Sequence, residues 1–275
     1  RDQPRSRGLG DVYKRQAAQL GIKTAIHEAN AFAGVTTKLL SKNVDKIMLT
    51  VEDTKNLDPS VKDKAEVTGL PVRKAFERIS KSDARHKLGF ADNEIVILSA
   101  GGSLGSRVLN ENVARLLKWY QESGVKVNHI HSFGTYKGYS NYISELEADG
   151  IKVKNNRRLI IKEYIDMPLC MAAADLVITR CGASTLTELE SVGRGAILIP
   201  SPSVAENHQY YNGMVLQKAG AGYVFEEKDL TENTITDKVK ELIEEPSKLE
   251  RLSENAARLF IPDTADRIYR TLRPL

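Results

Sequence analysis

Four short segments of this 275-residue chain carry residue types and spacings suited to holding an anionic, sugar-bearing ligand. The first is Gly101-Gly102-Ser103-Leu104-Gly105-Ser106. Glycines let a backbone approach a phosphate closely, and a helix opening behind them offers free N–H groups and the positive end of its dipole. Ser103 adds a hydroxyl. The same glycines would also serve a tight strand-to-helix turn with no ligand. The stretch is not a P-loop, because no Gly-Lys-Ser/Thr follows. It is a poor dinucleotide fingerprint, because the next strand runs Asn128-His129-Ile130-His131 and ends without Asp or Glu.

The second segment begins at Thr179-Arg180-Cys181-Gly182 and runs through Ala183, Ser184, Thr185, Leu186, Thr187 and Glu188. A carboxylate one turn into a helix can accept two hydrogen bonds from vicinal hydroxyls such as those of a ribose. Each hydrogen bond to a charged group contributes about 1.5–3 kcal/mol. The same carboxylate could instead complete a capping box with Ser184 or Thr185, or complement the helix dipole. The third segment follows Pro200 and Pro202, where Glu206, His208 and Gln209 stand near a helix start; a stiffened polar loop of this kind suits a sugar, or is an ordinary solvated cap. The fourth is His27-Glu28-Ala29-Asn30, polar where the chain leaves a strand. His129 and His131 alternate on one strand face, but no third ligand accompanies them, so structural or solvent-facing roles are favoured over a metal. The chain has no Asp-x-Asp motif and no Gly-x-Ser-x-Gly elbow. No metal and no cofactor is expected.

A repeating strand–helix pattern must position these segments. Runs such as Ile95-Val96-Ile97-Leu98 are continuous and apolar, as in strands buried on both faces of a parallel sheet. Leu109, Val113, Leu116, Leu117 and Tyr120 form the apolar stripe of the helix that follows. The order predicts an α/β fold with parallel sheets and helices on both faces. Six strands fall between Ala75 and Pro262 and only three before them, and Pro246 and Pro262 break the closing helices. In such sheets ligands bind at the carboxyl ends of the strands, where all four segments lie.

Composition narrows the class. With 41% hydrophobic and 28% charged residues the chain is ordinary globular material, and a net charge of +4 spread over mixed signs does not point to nucleic acid. Two cysteines, Cys170 and Cys181, make no disulfide framework and suit a reducing cytoplasm. No apolar run reaches the ~18 residues of a membrane span.

Taken together, the stretches HEANAFAGVTTK, VTGLPVR, GGSLGSRVLN, EYIDMPLCMAAADLVITRCGASTLTELES and PSPSVAENHQYYNGMVLQKAGAG resemble the MurG-type glycosyltransferases, which make lipid II for peptidoglycan. The resemblance runs in order from Ala17 to the C-terminus. It implies a GT-B fold of two Rossmann-like domains facing a cleft. It implies inverting transfer of N-acetylglucosamine from UDP-GlcNAc to the 4-hydroxyl of undecaprenyl-pyrophosphoryl-MurNAc-pentapeptide, lipid I becoming lipid II. The donor-contacting positions it implies are Asn30, Arg73, Ser103, Ile165, the run Ala183, Ser184, Thr185, Leu186, Thr187 and Glu188, and Gln209. Gly101, Gly102 and Gly105 would support the phosphates, Ile165 would meet the uracil through its backbone, and Glu188 would hold the ribose. Departures stand at Ala29, Leu70, Leu104 and Ser106, where the family usually has Gln, Asn, Gln and Ala.

The resemblance also divides the chain. Residues 75–262 would be the complete C-terminal donor domain, 17–74 the remnant of an acceptor-side and membrane-side domain, and 263–275 a helix crossing back to it. Residues 1–16 match nothing in the family and are expected to be a foreign scar. The family's glycine-rich loop with its candidate base, a histidine, is expected to lie upstream of the matched part, so the catalytic residue is unassigned and this chain is expected to lack turnover. Expected partners are UDP-GlcNAc, the lipid I acceptor at the membrane, and cell-wall synthesis and division proteins. The expected location is the cytoplasm, peripheral on the inner face of the bacterial membrane. The alternatives are a nucleotide-sugar binding module working with a separate partner subunit, or another GT-B enzyme, such as a UDP-sugar epimerase or a transferase with a different acceptor.

Overall fold

The computed structural model describes residues 13–275. Most of the segment expected to be a scar, residues 1–12, lies outside the described residues; residues 13–19 form one helical run across the expected junction at 16 and 17.

Two parallel sheets organise the chain. The smaller contains β1 (Ala25–Glu28), β2 (Lys46–Leu49) and β3 (Ala65–Val67) in that order. Helix α1 (Val35–Ser41) covers it, burying Leu40 with Ile26, Val44, Ile47, Leu49 and Val61. The larger sheet contains β4 (Ile95–Ala100), β5 (Val127–Ser132), β6 (Leu159–Lys162), β7 (Leu176–Thr179), β8 (Gly195–Leu198) and β9 (Gly222–Val224). Their order is β6-β5-β4-β7-β8-β9, every neighbour parallel.

The pattern of β4 shows why this sheet needs two covering layers. Ile97 packs among Leu109, Val113 and Leu116 of α3 (Arg107–Ser123), while Val96 and Leu98 face Met171 of α5 (Met167–Ala173) and Leu186 and Leu189 of α6 (Ala183–Val192). Alternate side chains of a strand point to opposite faces, so an uninterrupted apolar strand is stable only when both are covered. The remaining elements are α2 (Lys81–Leu88), α4 (Tyr142–Ala148), α7 (His208–Lys218), α8 (Thr234–Glu244), α9 (Pro246–Leu259) and α10 (Thr264–Leu272). Pro246 opens α9, where its missing N–H costs no hydrogen bond. Helix α10 returns to lie against β2 of the smaller sheet.

Chain order reverses between β4 and β7: β5 and β6 are added on one side, β8 and β9 on the other. The register is level there, with Ala100 beside Thr179 and Ser132, Ser132 beside Lys162, and Thr179 beside Leu198. The loops after these strands therefore emerge in one row along one edge.

Candidate functional site

The loop after β4 meets the loop after β5. A Cβ on Gly105 would overlap the Phe133 carbonyl oxygen, and Gly105 also has φ +83°, so two independent constraints demand glycine. Gly101 is likewise hemmed in, since a Cβ there would stand 2.6 Å from the Ser106 nitrogen. These two glycines are explained by packing of the loop itself. Gly102 differs: its φ is +90° and no atom lies within 4 Å of where a Cβ would be, so it faces open space beside exposed Ser103. Ser103 is anchored through its carbonyl, which accepts from the Thr135 N–H (2.9 Å) and hydroxyl (3.0 Å), leaving its own hydroxyl outward.

Ser106, one of the departures, caps α3 by accepting from the Leu109 N–H at 3.3 Å. It also accepts from Arg180 Nη2 at 2.6 Å. Arg180 is otherwise occupied by Glu227 at 2.6 Å and by the carbonyls of Ile199 and Pro200. It ties the loops after β4, β7 and β8 together and has little left to offer a ligand.

Helix α6 opens at Gly182, which supplies no side-chain cap, and no acidic residue stands in its first turn. Ser184 and Thr185 lie inside the helix, so the capping-box reading of Glu188 does not hold. Helix geometry leaves the first N–H groups without intrahelical partners, and no side chain among the described residues takes them. Glu188 lies one turn on, its side chain 18% exposed, with Arg73 Nη2 at 3.8 Å. Burial pushes its carboxyl up from the ordinary range, and Arg73 opposes that. Arg73 itself is mostly exposed and rests over the Phe76 ring, 5.0 Å from its centroid.

Ile165, between β6 and α5, is buried among Phe76, Met171 and Val177. Among the described residues its N–H and C=O have no hydrogen-bond partner. The side chain is an anchor and the peptide is free. Exposed Leu104, Tyr136 and Tyr164 stand along the same row of strand ends.

Gln209, on α7, accepts at Oε1 from the N–H groups of Cys181 (3.2 Å) and Ser201 (2.9 Å), and its NH₂ has no partner among the described residues. Three residues on, buried Asn212 donates to the Cys181 carbonyl (3.1 Å) and to Asn30 Oδ1 (3.0 Å), and accepts from the Ala31 N–H (2.8 Å). Asn30 is held from its other side by Glu28, which also accepts from Gly34 N–H and Thr37 Oγ1. Phe32 stacks on Tyr211 with centroids 4.5 Å apart. Asn30, read from the smaller sheet, is thereby fixed against the start of α6. Sequence reasoning did not single out Asn212; its spacing of three from Gln209 on one helix was the available signal.

The histidine pair lies elsewhere. His129 Nε2 and His131 Nδ1 are each 2.7 Å from Ser99 Oγ, and His129 Nδ1 is 3.2 Å from Tyr120 Oη. Both rings are fully buried, so the solvent-facing alternative is excluded, and burial pushes both down to about 3. The row of strand ends thus gathers Ser103, Ile165, Ala183 to Glu188, Gln209 and, across the cleft, Asn30 and Arg73.

The profile of the Glycosyltransferase family 28 C-terminal domain matches residues 96–268. A UDP-N-acetylglucosamine–N-acetylmuramyl-(pentapeptide) pyrophosphoryl-undecaprenol N-acetylglucosamine transferase of Thermoanaerobacter sp. is 36% identical over 259 residues, 94% of this chain and 70% of its own length. The protein of that name from Acetivibrio thermocellus is 35% identical over 266 residues, 94% of this chain and 68% of its own. The crystal structure of Acinetobacter baumannii MurG superposes with a TM-score of 0.76 at 26% identity, covering 98% of this chain and 70% of that one. This chain therefore belongs to the family of UDP-N-acetylglucosamine–N-acetylmuramyl-(pentapeptide) pyrophosphoryl-undecaprenol N-acetylglucosamine transferases, with the GT-B fold of MurG.

Proposed function

We propose that residues 75–262, together with Asn30 and Arg73, bind UDP-N-acetylglucosamine along the row of strand ends, for hexosyl transfer to the 4-hydroxyl of undecaprenyl-pyrophosphoryl-MurNAc-pentapeptide. The observation that carries this reading is Glu188: a half-buried carboxylate with one loose partner, one turn behind a helix start whose N–H groups are unclaimed. A ribose fits the carboxylate, and a diphosphate fits the helix start. In this arrangement the free peptide of Ile165 accepts and donates to the uracil edge. The open Gly102-Ser103 corner and the peptides of Ala183, Ser184 and Thr185 receive the phosphates. Leu186 and Thr187 complete the turn that aims Glu188. The free NH₂ of Gln209 and the polar edge of Asn30 orient the sugar, and Arg73 covers the nucleotide from the linker.

The chemistry follows from charge. A bond forms from the acceptor oxygen to the sugar C1, the C1–O bond to the diphosphate breaks, and the hydroxyl proton leaves to a base. Negative charge grows on the departing UDP. The α6 N-terminus is aimed where that charge develops and needs no reorganisation to meet it, which is how fixed dipoles lower a barrier. No residue of this chain is assigned as the base. The undecaprenyl chain of the acceptor resides in a membrane, so the reaction takes place at a membrane surface, with the protein held there peripherally. No helix among the described residues is long and apolar enough to cross a membrane.

Calorimetric titration with UDP tests the reading. Glu188→Ala is expected to weaken UDP by at least about tenfold, since two hydrogen bonds to a charged group are lost. Unchanged affinity would remove the ribose assignment.

A further inference from the structure

A second cavity lies behind α6, on the side of the helix away from Arg73. Its volume is about 360 Å³, inside the range of small-molecule sites. The smaller sheet contributes the loop from Thr50 to Asp53 and the turn at Gly69 and Leu70; the larger domain contributes Thr187, Glu190, Val215, Arg258 and Ile261. We propose that this cavity binds a small primary amine carried on an apolar body, with the Glu190 carboxylate as counter-ion.

The lining selects that chemistry. Val51, Leu70, Val215, Leu259 and Ile261 give apolar walls. The hydroxyls of Thr50 and Thr187 already donate to the carbonyls of Glu28 and Ala183. The Glu190 carboxyl has no hydrogen-bond or ion-pair partner among the described residues, and burial pushes it up to about 7. The other charged groups on the cavity are Glu52 and Asp53, both exposed, and Arg258, whose guanidinium is occupied by Asn255 (3.1 Å) and Glu254 (3.5 Å) on its own helix. Three carboxyl groups against one engaged guanidinium favour a cation. A half-buried carboxylate without a partner is costly, and a cation beside it removes that cost. An ammonium therefore binds the ionised form, and its affinity falls as pH drops below the Glu190 titration.

The test uses the whole chain with n-hexylamine, n-hexanol and hexanoate, followed by calorimetry and by thermal shift at pH 8.5 and pH 5.5. Hexylamine is expected to bind at pH 8.5 at least tenfold more tightly than hexanol and than at pH 5.5, with hexanoate not binding. Glu190→Gln should bring hexylamine down to the level of hexanol while leaving UDP affinity within about twofold. Val215→Trp should abolish binding of both by filling the cavity. Hexylamine binding no better than hexanol, or keeping its full preference in Glu190→Gln, would overturn the proposal. If that variant does not fold, the pH and ligand arms on the unaltered chain decide in the same way. UDP binding is a separate readout, so failure here is distinguishable from failure of the donor site.

Discussion

Glu188 and Glu190 are two residues apart on one helix and have opposite surroundings. Glu188 faces the linker and has Arg73 nearby; Glu190 lines the second cavity, and its carboxyl has no partner among the described residues. Helical periodicity turns side chains two apart to opposite sides, which the sequence shows, but which side meets an arginine depends on a residue more than a hundred positions away. The buried Ser99–His129–His131 network obeys the same limit. The alternation of the two histidines is legible, while their shared partner sits on the neighbouring strand. Ser99 has one proton for two ring nitrogens, so one histidine must donate to it. The network is best satisfied when His131 Nδ1–H donates to Ser99, Ser99 donates to His129 Nε2, and His129 Nδ1–H donates to Tyr120; the partnerless atom, His131 Nε2, is then a lone pair and not a stranded N–H. Both histidines are neutral in the fold and titrate near 6.5 when unfolded, so their contribution is complete above pH 6.5 and is lost as pH falls toward 3. In His131→Leu the stability difference between pH 8 and pH 5 should shrink by about 2 kcal/mol, one histidine's share over that interval. Urea titrations at the two pH values check this; an unchanged difference would show that the ring is not held neutral.

Helix α6 shows how one element can serve two purposes that conflict. A bare N-terminus forgoes the stabilisation that an acidic first turn gives, about 0.3–1 kcal/mol, and leaves its N–H groups open to an anion. Ser184→Asp should therefore raise thermal stability slightly while lowering UDP affinity at least about tenfold, because the new carboxylate takes the place proposed for the diphosphate. Equal UDP affinity in that variant would place the diphosphate elsewhere. The start of α6 was legible from Gly182 and the apolar spacing behind it. The glycine loop was legible only in part: the need for glycine at Gly105 comes from the Phe133 carbonyl in the next loop, a contact that no local pattern encodes.

For the molecule as a whole, the parallel fold follows from apolar strands separated by amphipathic helices, and the reversal of order between β4 and β7 makes the crevice. What the pattern did not reveal is how the smaller sheet is held against it. Asn212, bonded to Asn30 and Ala31, and Phe32, stacked on Tyr211, contribute to that junction, through contacts between segments about 180 residues apart in the case of Asn212 and Ala31. They bring Asn30 to within reach of the α6 start, so the candidate site is a property of both sheets and not of the larger one alone.

A crystal structure of this chain with UDP bears on the central claim most directly. The uracil should lie against the Ile165 peptide, the ribose hydroxyls on Glu188, and the diphosphate over the N–H groups of Ala183, Ser184 and Thr185. UDP bound in the cavity beside Glu190, or with its ribose away from Glu188, would contradict it.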